Sequence, residues 1–411
     1  MNPIVIVGGG HAGAQLCSSL VEAGLGAQVH LVCAEAHLPY QRPPLSKAYL
    51  KSPAEGLQSH RAQAWFEQAG ITLHLGDPAV MIDRAGQCLR LRSGTVLPYS
   101  QLVLATGAVA RRLPALPAGL ANVAELRHAA DAQSLRQQLA SAKSLTVLGG
   151  GFIGLEVAAT ARVLGLEVLV IEAQARLLSR SVSAELAAHI LATHQAAGIH
   201  FELGAQVGEL VHDGQRLISI EVNGQAQAVD LLLMGIGAVP DTALAEAAGL
   251  RVDNGILVDA AMRSSDPHIL ATGDVARFAL APAWAPPEGG SVRLESVQNA
   301  NDQARTAAAT LQGLTSSYAA LPWFWSEQGA MRLQMAGLMP AADAPGVSRH
   351  RRPGPSPASF SVLHYRGAKL ACVESVNAPM DHMASRKLME AGKHPGPALT
   401  SDPAVALKSL I

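Results

Sequence analysis

Two glycine-rich hexapeptides have the residue types and spacing needed to bind dinucleotides. Residues 8–13 (GGGHAG) follow the apolar run Ile4–Val7, and residues 149–154 (GGGFIG) follow Leu145–Leu148. In a G-x-G-x-x-G pattern the first glycine permits a tight turn, the second lets the backbone approach a diphosphate, and the third lets a helix pack closely on a strand. The candidate contacts are Gly8, Gly10, Ala12, Gly13, Gly149, Gly151, Ile153 and Gly154.

An acidic residue follows each hexapeptide at the end of the next apolar run. Glu172 comes directly after Val168–Ile171, where a carboxylate can accept hydrogen bonds from ribose hydroxyls and so favour NAD over NADP. After Val29–Cys33, the expected position holds Ala34, and Glu35 follows it. Either Glu35 binds the ribose, or this strand carries a one-residue bulge.

The elements around both hexapeptides predict two Rossmann-like units. Apolar residues recur at helical spacing after residue 153, and a helix is also expected from the first hexapeptide to about Ala23. Helix N-termini offer free N–H groups and a partial positive charge to phosphates. Two dinucleotide folds in one chain indicate a flavin and a nicotinamide, FAD and NADH, because a flavin accepts the hydride that a nicotinamide gives.

Composition restricts the classes of partner. Lys+Arg 31 against Asp+Glu 32 gives a net charge of −1, which does not favour nucleic acid or a membrane surface. The N-terminus lacks a basic region before an apolar segment, and no apolar run is long and glycine-free enough to span a bilayer. The four cysteines lack C-x-x-C spacing, which is typical of a reducing compartment, so we expect a cytoplasmic protein.

Five further segments, taken in order, resemble the FAD-dependent NADH:ferredoxin reductase family, which includes putidaredoxin reductase, rhodocoxin reductase and biphenyl dioxygenase ferredoxin reductase. These segments are residues 38–47 (LPYQRPPLSK), 102–108 (LVLATGA), 270–276 (LATGDVA), 293–300 (RLESVQNA) and 322–328 (PWFWSEQ). Disulfide reductases of the same fold carry a cysteine pair where this chain has residues 42–47 (RPPLSK). Because disulfide exchange needs thiolates, that chemistry is excluded.

The resemblance implies an α/β fold of the glutathione reductase type, with FAD-binding and NAD-binding Rossmann-like domains and a C-terminal α+β domain. The predicted limits are 1–109 and 241–313 for the FAD-binding domain, 110–240 for the NAD-binding domain and 314–411 for the C-terminal domain. In the last domain, Ser359–His364 and Lys369–Val373 predict strands, and Ala384–Ala391 predicts a helix.

The resemblance also implies a set of site residues. The implied FAD contacts outside the first hexapeptide are Glu35, Arg42, Lys47, Val80, Ala105, Thr106, Gly107, Arg127, Asp274, Glu295 and Val297. Gly237 is expected on the nicotinamide side. The alternative role of Asp274 is a plain helix N-cap. The alternative for Arg42 and Arg127 is an ordinary salt bridge.

The candidate catalytic residues are Lys47, Glu156 and Trp325. The ammonium of Lys47 would stabilise a reduced, anionic flavin, with a solvated surface lysine as the alternative. Glu156 is expected on a helix face that also meets the nicotinamide, without acid–base work, because hydride transfer needs no proton shuttle. Trp325 is either core or a wall of the flavin pocket.

The function implied by the resemblance is electron transfer from NADH through FAD to a [2Fe-2S] ferredoxin. The ferredoxin would serve a cytochrome P450 or a Rieske-type, ring-hydroxylating dioxygenase. Two alternatives stay open: a flavin NADH oxidase or quinone reductase, and an apoptosis-inducing-factor-like flavoprotein. The basic run at residues 349–352 (RHRR) predicts a solvated loop, with a docking patch for an acidic ferredoxin as the alternative.

Overall fold

The computed structural model describes residues 3–285, 290–341 and 343–411. The remaining positions of the predicted domain ranges, residues 1–2, 286–289 and 342, lie outside the described residues. The chain divides into two compact units. The first unit comprises Met1–Arg42, Leu57–Val109 and Val239–Trp323, and the second comprises Pro43–Gly56, Ala110–Ala238 and Phe324–Ile411.

The strands are numbered in chain order. They are β1 (Ile4–Val7), β2 (Val29–Cys33), β3 (Thr72–Leu75), β4 (Ala79–Asp83), β5 (Cys88–Leu91), β6 (Val96–Pro98), β7 (Gln101–Leu104), β8 (Ala108–Ala110), β9 (Val123–Ala124), β10 (Ser144–Leu148), β11 (Glu167–Glu172), β12 (Ile199–Leu203), β13 (Val207–His212), β14 (Leu217–Val222), β15 (Gln225–Ala228), β16 (Leu231–Met234), β17 (Ala238–Pro240), β18 (Ile256–Val258), β19 (Ile269–Ala271), β20 (Ala276–Ala279), β21 (Ser291–Val292), β22 (Trp323–Gln328), β23 (Met331–Gly337), β24 (Val347–Pro353), β25 (Phe360–Arg366) and β26 (Lys369–Val376).

The helices are numbered in the same way. They are α1 (His11–Glu22), α2 (Ala48–Lys51), α3 (Gln63–Gln68), α4 (Ala129–Ser141), α5 (Phe152–Val163), α6 (Ala184–Ala196), α7 (Ala243–Ala247), α8 (Val297–Leu311), α9 (Pro379–Glu390) and α10 (Pro397–Thr400). Short 3₁₀ turns cover Gly26–Gln28, Pro43–Ser46, Gly273–Val275 and Leu407–Leu410.

The first unit is built on a parallel sheet with the strand order β19-β7-β1-β2-β3. All four residues of β1 are buried, as expected for a strand covered on both faces. Small residues let the neighbouring elements approach closely, since Ala12 of α1, Ala105 and Ala300 of α8 form one buried cluster. The antiparallel strands β4-β5-β6 complete the core with their buried leucines.

The second unit contains a parallel sheet in the order β12-β11-β10-β16-β9 and a largely antiparallel sheet in the order β22-β23-β26-β25-β24. One apolar core includes residues of both sheets, such as Val147 and Val170 of the parallel sheet and Leu333 and Phe360 of the other. Leu50 of α2 belongs to the same core. This burial explains why Pro43–Gly56 groups with the second unit, although sequence order places it inside the predicted FAD-binding segment.

The predicted fold class is confirmed, because each glycine hexapeptide joins a parallel strand to a helix. The predicted C-terminal strands are present and extend further, as β25 and β26, and the predicted helix begins earlier, at Pro379. The predicted loop at residues 349–352 is wrong. These residues lie in β24 and pair with β25, and Arg351 and Arg352 form ion pairs with Glu185 and Asp381.

Candidate functional site

The first hexapeptide turns β1 into α1 in the first unit. Gly8 has φ +117°, and a Cβ there would lie 2.2 Å from the carbonyl oxygen of Ala105. At Gly13, a Cβ would lie 2.0 Å from the carbonyl oxygen of Gly8. These two glycines are therefore required by the protein's own packing.

The second hexapeptide has the same geometry in the second unit. Gly149 has φ +107°, and its Cβ would lie 2.4 Å from the carbonyl oxygen of Gly235. A Cβ at Gly154 would lie 2.5 Å from the carbonyl oxygen of Gly149. The repetition of these contacts supports the sequence prediction of two similar binding turns.

The middle glycines behave differently, and this difference fits a bound diphosphate. The nearest atom to a Cβ at Gly10 would be Arg42 Nε at 3.9 Å, and at Gly151 it would be the carbonyl oxygen of Gly235 at 3.8 Å. Packing of the described residues therefore does not demand glycine at either position. Both residues are N-caps without a side chain, so the first N–H groups of α1 and α5 are left to other acceptors.

Glu172, the last residue of β11, is held in one orientation by backbone groups. Its Oε2 accepts a hydrogen bond from Gly150 N at 2.7 Å, and its Oε1 accepts one from Gln174 N at 2.7 Å. Two backbone donors fix the carboxylate beside the glycine turn of the second unit. The predicted contact of Glu172 with a ribose stays a prediction.

Glu35 lies two residues beyond β2, so the first unit places its acid later than the second unit does. The register of β2 with both neighbouring strands is continuous, and β2 therefore carries no bulge. Glu35 accepts hydrogen bonds from Tyr40 Oη at 2.7 Å and from Arg42 Nη2 at 3.0 Å. Arg42 thus connects the acid of the first unit with the open turn at Gly10.

The other predicted FAD residues of the first unit lie on several loops and strand ends. Thr106 Oγ1 donates to the carbonyl oxygen of Asp241 at 2.7 Å. Asp274 is in the 3₁₀ turn Gly273–Val275, rather than capping an α-helix, and its carbonyl oxygen accepts from Arg293 Nη1 at 3.1 Å. Arg293 also pairs with Glu295 at 2.5 Å.

The remaining positions in this set differ in exposure. Val80 in β4 is 47% exposed, Ala105 is buried, and Val297 is the first residue of α8. Gly107 has φ +75°, and its carbonyl oxygen accepts from Asp241 N. Their roles toward FAD stay predictions.

A buried carboxylate pairs with Lys47 within the second unit. Glu156 is 4% exposed, and its Oε2 lies 2.7 Å from Lys47 Nζ and 2.5 Å from Ser46 Oγ. Lys47 Nζ also donates to the carbonyl oxygen of Pro43 at 3.1 Å. The alternative of a solvated Lys47 is therefore wrong, since this ammonium is largely enclosed and ion-paired.

Two serines in this cluster were not singled out by sequence reasoning. Ser46 is held by Thr160, whose Oγ1 donates to the carbonyl oxygen of Ser46 at 3.0 Å. Ser326 in β22 donates to Glu156 Oε1 at 2.7 Å. Ser46 and Ser326 are 110 and 170 residues from Glu156 in the sequence, so the local sequence does not predict these contacts.

Three other predicted residues also belong to the second unit. Arg127 precedes α4, and its backbone N–H donates to Asp131 Oδ2 at 2.9 Å. Gly237 has φ +102°, and its carbonyl oxygen accepts from Arg111 N. Trp325 is half-buried in β22, next to Ser326. None of these observations settles a cofactor contact, and the three assignments remain predictions.

All four cysteines are described, and all are free thiols. Burial raises the pKa of the Cys33 thiol to about 12, and burial also raises the pKa of the Cys17 and Cys372 thiols. Thiols with raised pKa values are poor nucleophiles at neutral pH. Within the described ranges, no helix has the length and apolar character needed to cross a membrane.

Two protein-family models match this chain. The family model described as pyridine nucleotide-disulphide oxidoreductase matches residues 2–304, and the model described as reductase C-terminal matches residues 323–411. The ferredoxin–NAD(+) reductase component of the anthranilate 1,2-dioxygenase system of Burkholderia cepacia is 39% identical over 413 residues, which cover 100% of this chain and 99% of the relative.

Two solved structures are also similar over the whole chain. The ferredoxin reductase for the CYP199A2 system from Rhodopseudomonas palustris has a TM-score of 0.92 and 41% identity, and the match covers 100% of this chain and 99% of that one. The covalent putidaredoxin reductase–putidaredoxin complex has a TM-score of 0.91 and 36% identity, with 100% and 98% covered. The family resemblance predicted from the motifs is confirmed.

Proposed function

We propose that this chain, which belongs to the pyridine nucleotide-disulphide oxidoreductase family, is an FAD-dependent NADH:ferredoxin reductase. Its electron acceptor is a [2Fe-2S] ferredoxin that serves a cytochrome P450 or a ring-hydroxylating dioxygenase. The observation that carries the proposal is the segment Pro43–Gly56, which presents Lys47 paired with Glu156 and contains no cysteine. Electrons therefore have no thiol route at this segment and leave the flavin directly.

Each unit has its own task in this proposal. The open turn at Gly10, together with Arg42, Thr106 and Asp274 of the first unit, holds FAD. The open turn at Gly151 and the fixed carboxylate of Glu172 hold NADH. Bound FAD supplies the conversion between a two-electron donor and a one-electron acceptor, while the protein supplies orientation and charge.

The remaining predictions are part of the same proposal. The segments 1–109 and 241–313 form the FAD-binding domain, 110–240 the NAD-binding domain and 314–411 the C-terminal domain. We place the protein in the cytoplasm, because four free thiols without a disulfide suit a reducing compartment.

We expect the purified protein to be yellow and to hold FAD without a covalent bond. The motive is the pair of glycine turns, which offer backbone N–H groups to a diphosphate. Precipitation with acid should release all of the flavin to the supernatant, where its absorbance identifies it. Flavin that stays with the pellet would contradict this mode of binding.

The decisive test of the function is reduction of a ferredoxin from the same genome. Stopped-flow mixing of NADH-reduced protein with the ferredoxin should show fast reduction at low ionic strength. The rate should fall roughly tenfold or more as salt is raised, because electrostatic steering is screened, while reduction of the flavin by NADH hardly changes.

Each other outcome points to a different function. Salt-independent reduction of the ferredoxin would remove electrostatic docking from the proposal. If oxygen or a quinone were reduced faster than any [2Fe-2S] protein of the genome, the oxidase or quinone reductase function would replace it. Flavin reduction without turnover on any acceptor would favour an apoptosis-inducing-factor-like role.

A further inference from the structure

A chain of buried polar side chains leads through the second unit to the carboxylate of Glu156. It begins at His194 in α6, passes through Gln328 and Ser326 of β22, and ends at Glu156 of α5. His194 and Gln328 are each 2% exposed, and Ser326 is 0% exposed. Buried polar groups of this kind are costly unless every one is paired, so their arrangement is specific.

The chemistry of these groups makes every hydrogen bond donate in the same direction, from His194 towards Glu156. His194 Nε2 lies 2.8 Å from Gln328 Oε1, and an amide oxygen can only accept, so His194 donates. Gln328 Nε2 donates to Ser326 Oγ at 3.3 Å. The single hydroxyl proton of Ser326 is then left for Glu156 Oε1, at 2.7 Å.

The two oxygens of Glu156 have different partners. Oε1 receives Ser326 Oγ and, at a longer 3.4 Å, the backbone N–H of Glu327. Oε2 receives Lys47 Nζ and Ser46 Oγ. Ser326 therefore makes the shorter hydrogen bond to Oε1, the oxygen that does not pair with Lys47. This hydrogen bond draws part of the carboxylate charge to Oε1 and away from Oε2.

We propose that Ser326 is a positioning residue that controls how much of the Lys47 charge Glu156 neutralises. Without the Ser326 hydroxyl, the long contact with Glu327 N is what remains to Oε1 among the described residues, and more of the negative charge is directed to Lys47. The positive field that Lys47 exerts on the flavin then falls. This inference rests on the proposed function, in which Lys47 stabilises reduced FAD.

The test is the midpoint potential of bound FAD in Ser326→Ala. We expect the equilibrium constant for flavin reduction to fall about fivefold, which is about 20 mV for a two-electron couple. Ser375→Ala is the matched control, because Ser375 is also buried on the same sheet but its hydroxyl pairs with Ser361. The control should leave the potential unchanged.

A double variant separates positioning from a merely structural effect. In a Glu156→Gln background there is no carboxylate charge to direct, so Ser326→Ala should no longer shift the potential. An equal shift in both backgrounds, or no shift in the wild-type background, would overturn the inference. If Ser326→Ala does not retain FAD, Ser326→Cys can replace it. Because the S–H group is a weak donor, Ser326→Cys should give a smaller shift in the same direction. An unchanged potential in Ser326→Cys would also overturn the inference.

The Lys47→Met variant distinguishes a failure of the inference about Ser326 from a failure of the proposed role of Lys47. A lower potential in Lys47→Met with an unchanged one in Ser326→Ala would reject the role of Ser326 alone. An unchanged potential in Lys47→Met would reject the placement of Lys47 at the flavin, and the role of Ser326 with it.

Discussion

Replacing Glu172 by alanine should reduce the preference for NADH over NADPH by on the order of a hundredfold in kcat/KM. In the proposed function the wild-type carboxylate accepts hydrogen bonds from ribose hydroxyls and repels a 2′-phosphate, and hydrogen bonds to a charged group contribute about 1.5–3 kcal/mol each. Most of the change should be a loss of activity with NADH, with a smaller gain for NADPH. Steady-state kinetics with both nucleotides measure the ratio.

The contacts of Glu172 require a second variant in this experiment. Alanine also removes the acceptor for Gly150 N and Gln174 N, so it loosens the turn as well as removing the charge. Glu172→Gln keeps one acceptor oxygen and removes the charge, and it should relax the preference while retaining more activity. Equal kcat/KM values for the two nucleotides in the wild-type protein would contradict the role of Glu172.

The two nucleotide-binding turns could be predicted because their determinants are local. Gly154 is required by contacts within a single strand–turn–helix unit, and Gly149 by contacts with the backbone of Gly235 and Ile236. Glu172 follows from the same local pattern, since it ends the next strand along the chain. Sequence spacing alone carries information of this kind.

The Lys47–Glu156 pair could not be predicted in the same way. The two residues are 109 positions apart, and each had a plausible local role on its own. Their contact depends on the packing of Leu50 into the core of the second unit, which no local period reveals. The same reason applies to Ser326, because a single serine in a strand carries no signal of its distant partner.

The basic run at residues 349–352 shows a different limit of sequence reasoning. Charged residues in a row suggest solvation, yet Arg352 is buried and pairs with Asp381 at 3.0 Å. Arg351 pairs with Glu185 at 2.7 Å and lies over the ring of Phe360. Since Arg351 and Arg352 are engaged within the protein, the run is a poor candidate for a ferredoxin docking patch.

Replacing Lys47 by methionine should lower the midpoint potential of bound FAD, because it removes the cation that we propose to stabilise the reduced, anionic ring. We expect the equilibrium constant for reduction to fall by about one to two powers of ten, or about 30–60 mV for a two-electron couple. Redox titration of the variant with FAD bound measures this shift. Lys51→Met is the matched control, because Lys51 lies one turn further on, at the exposed end of α2.

The partner of Lys47 sets the size and the sign of this effect. Methionine leaves Glu156 as a buried carboxylate without its cation, which is both destabilising and a negative charge in the place of a neutral pair. Glu156→Gln alone should raise the potential, since the charge of Lys47 is then uncompensated, and the double variant should lie between the two single variants. A Lys47→Met protein that binds FAD at an unchanged potential would show that the ammonium does not act on the flavin, whatever its role in the packing of Pro43–Gly56.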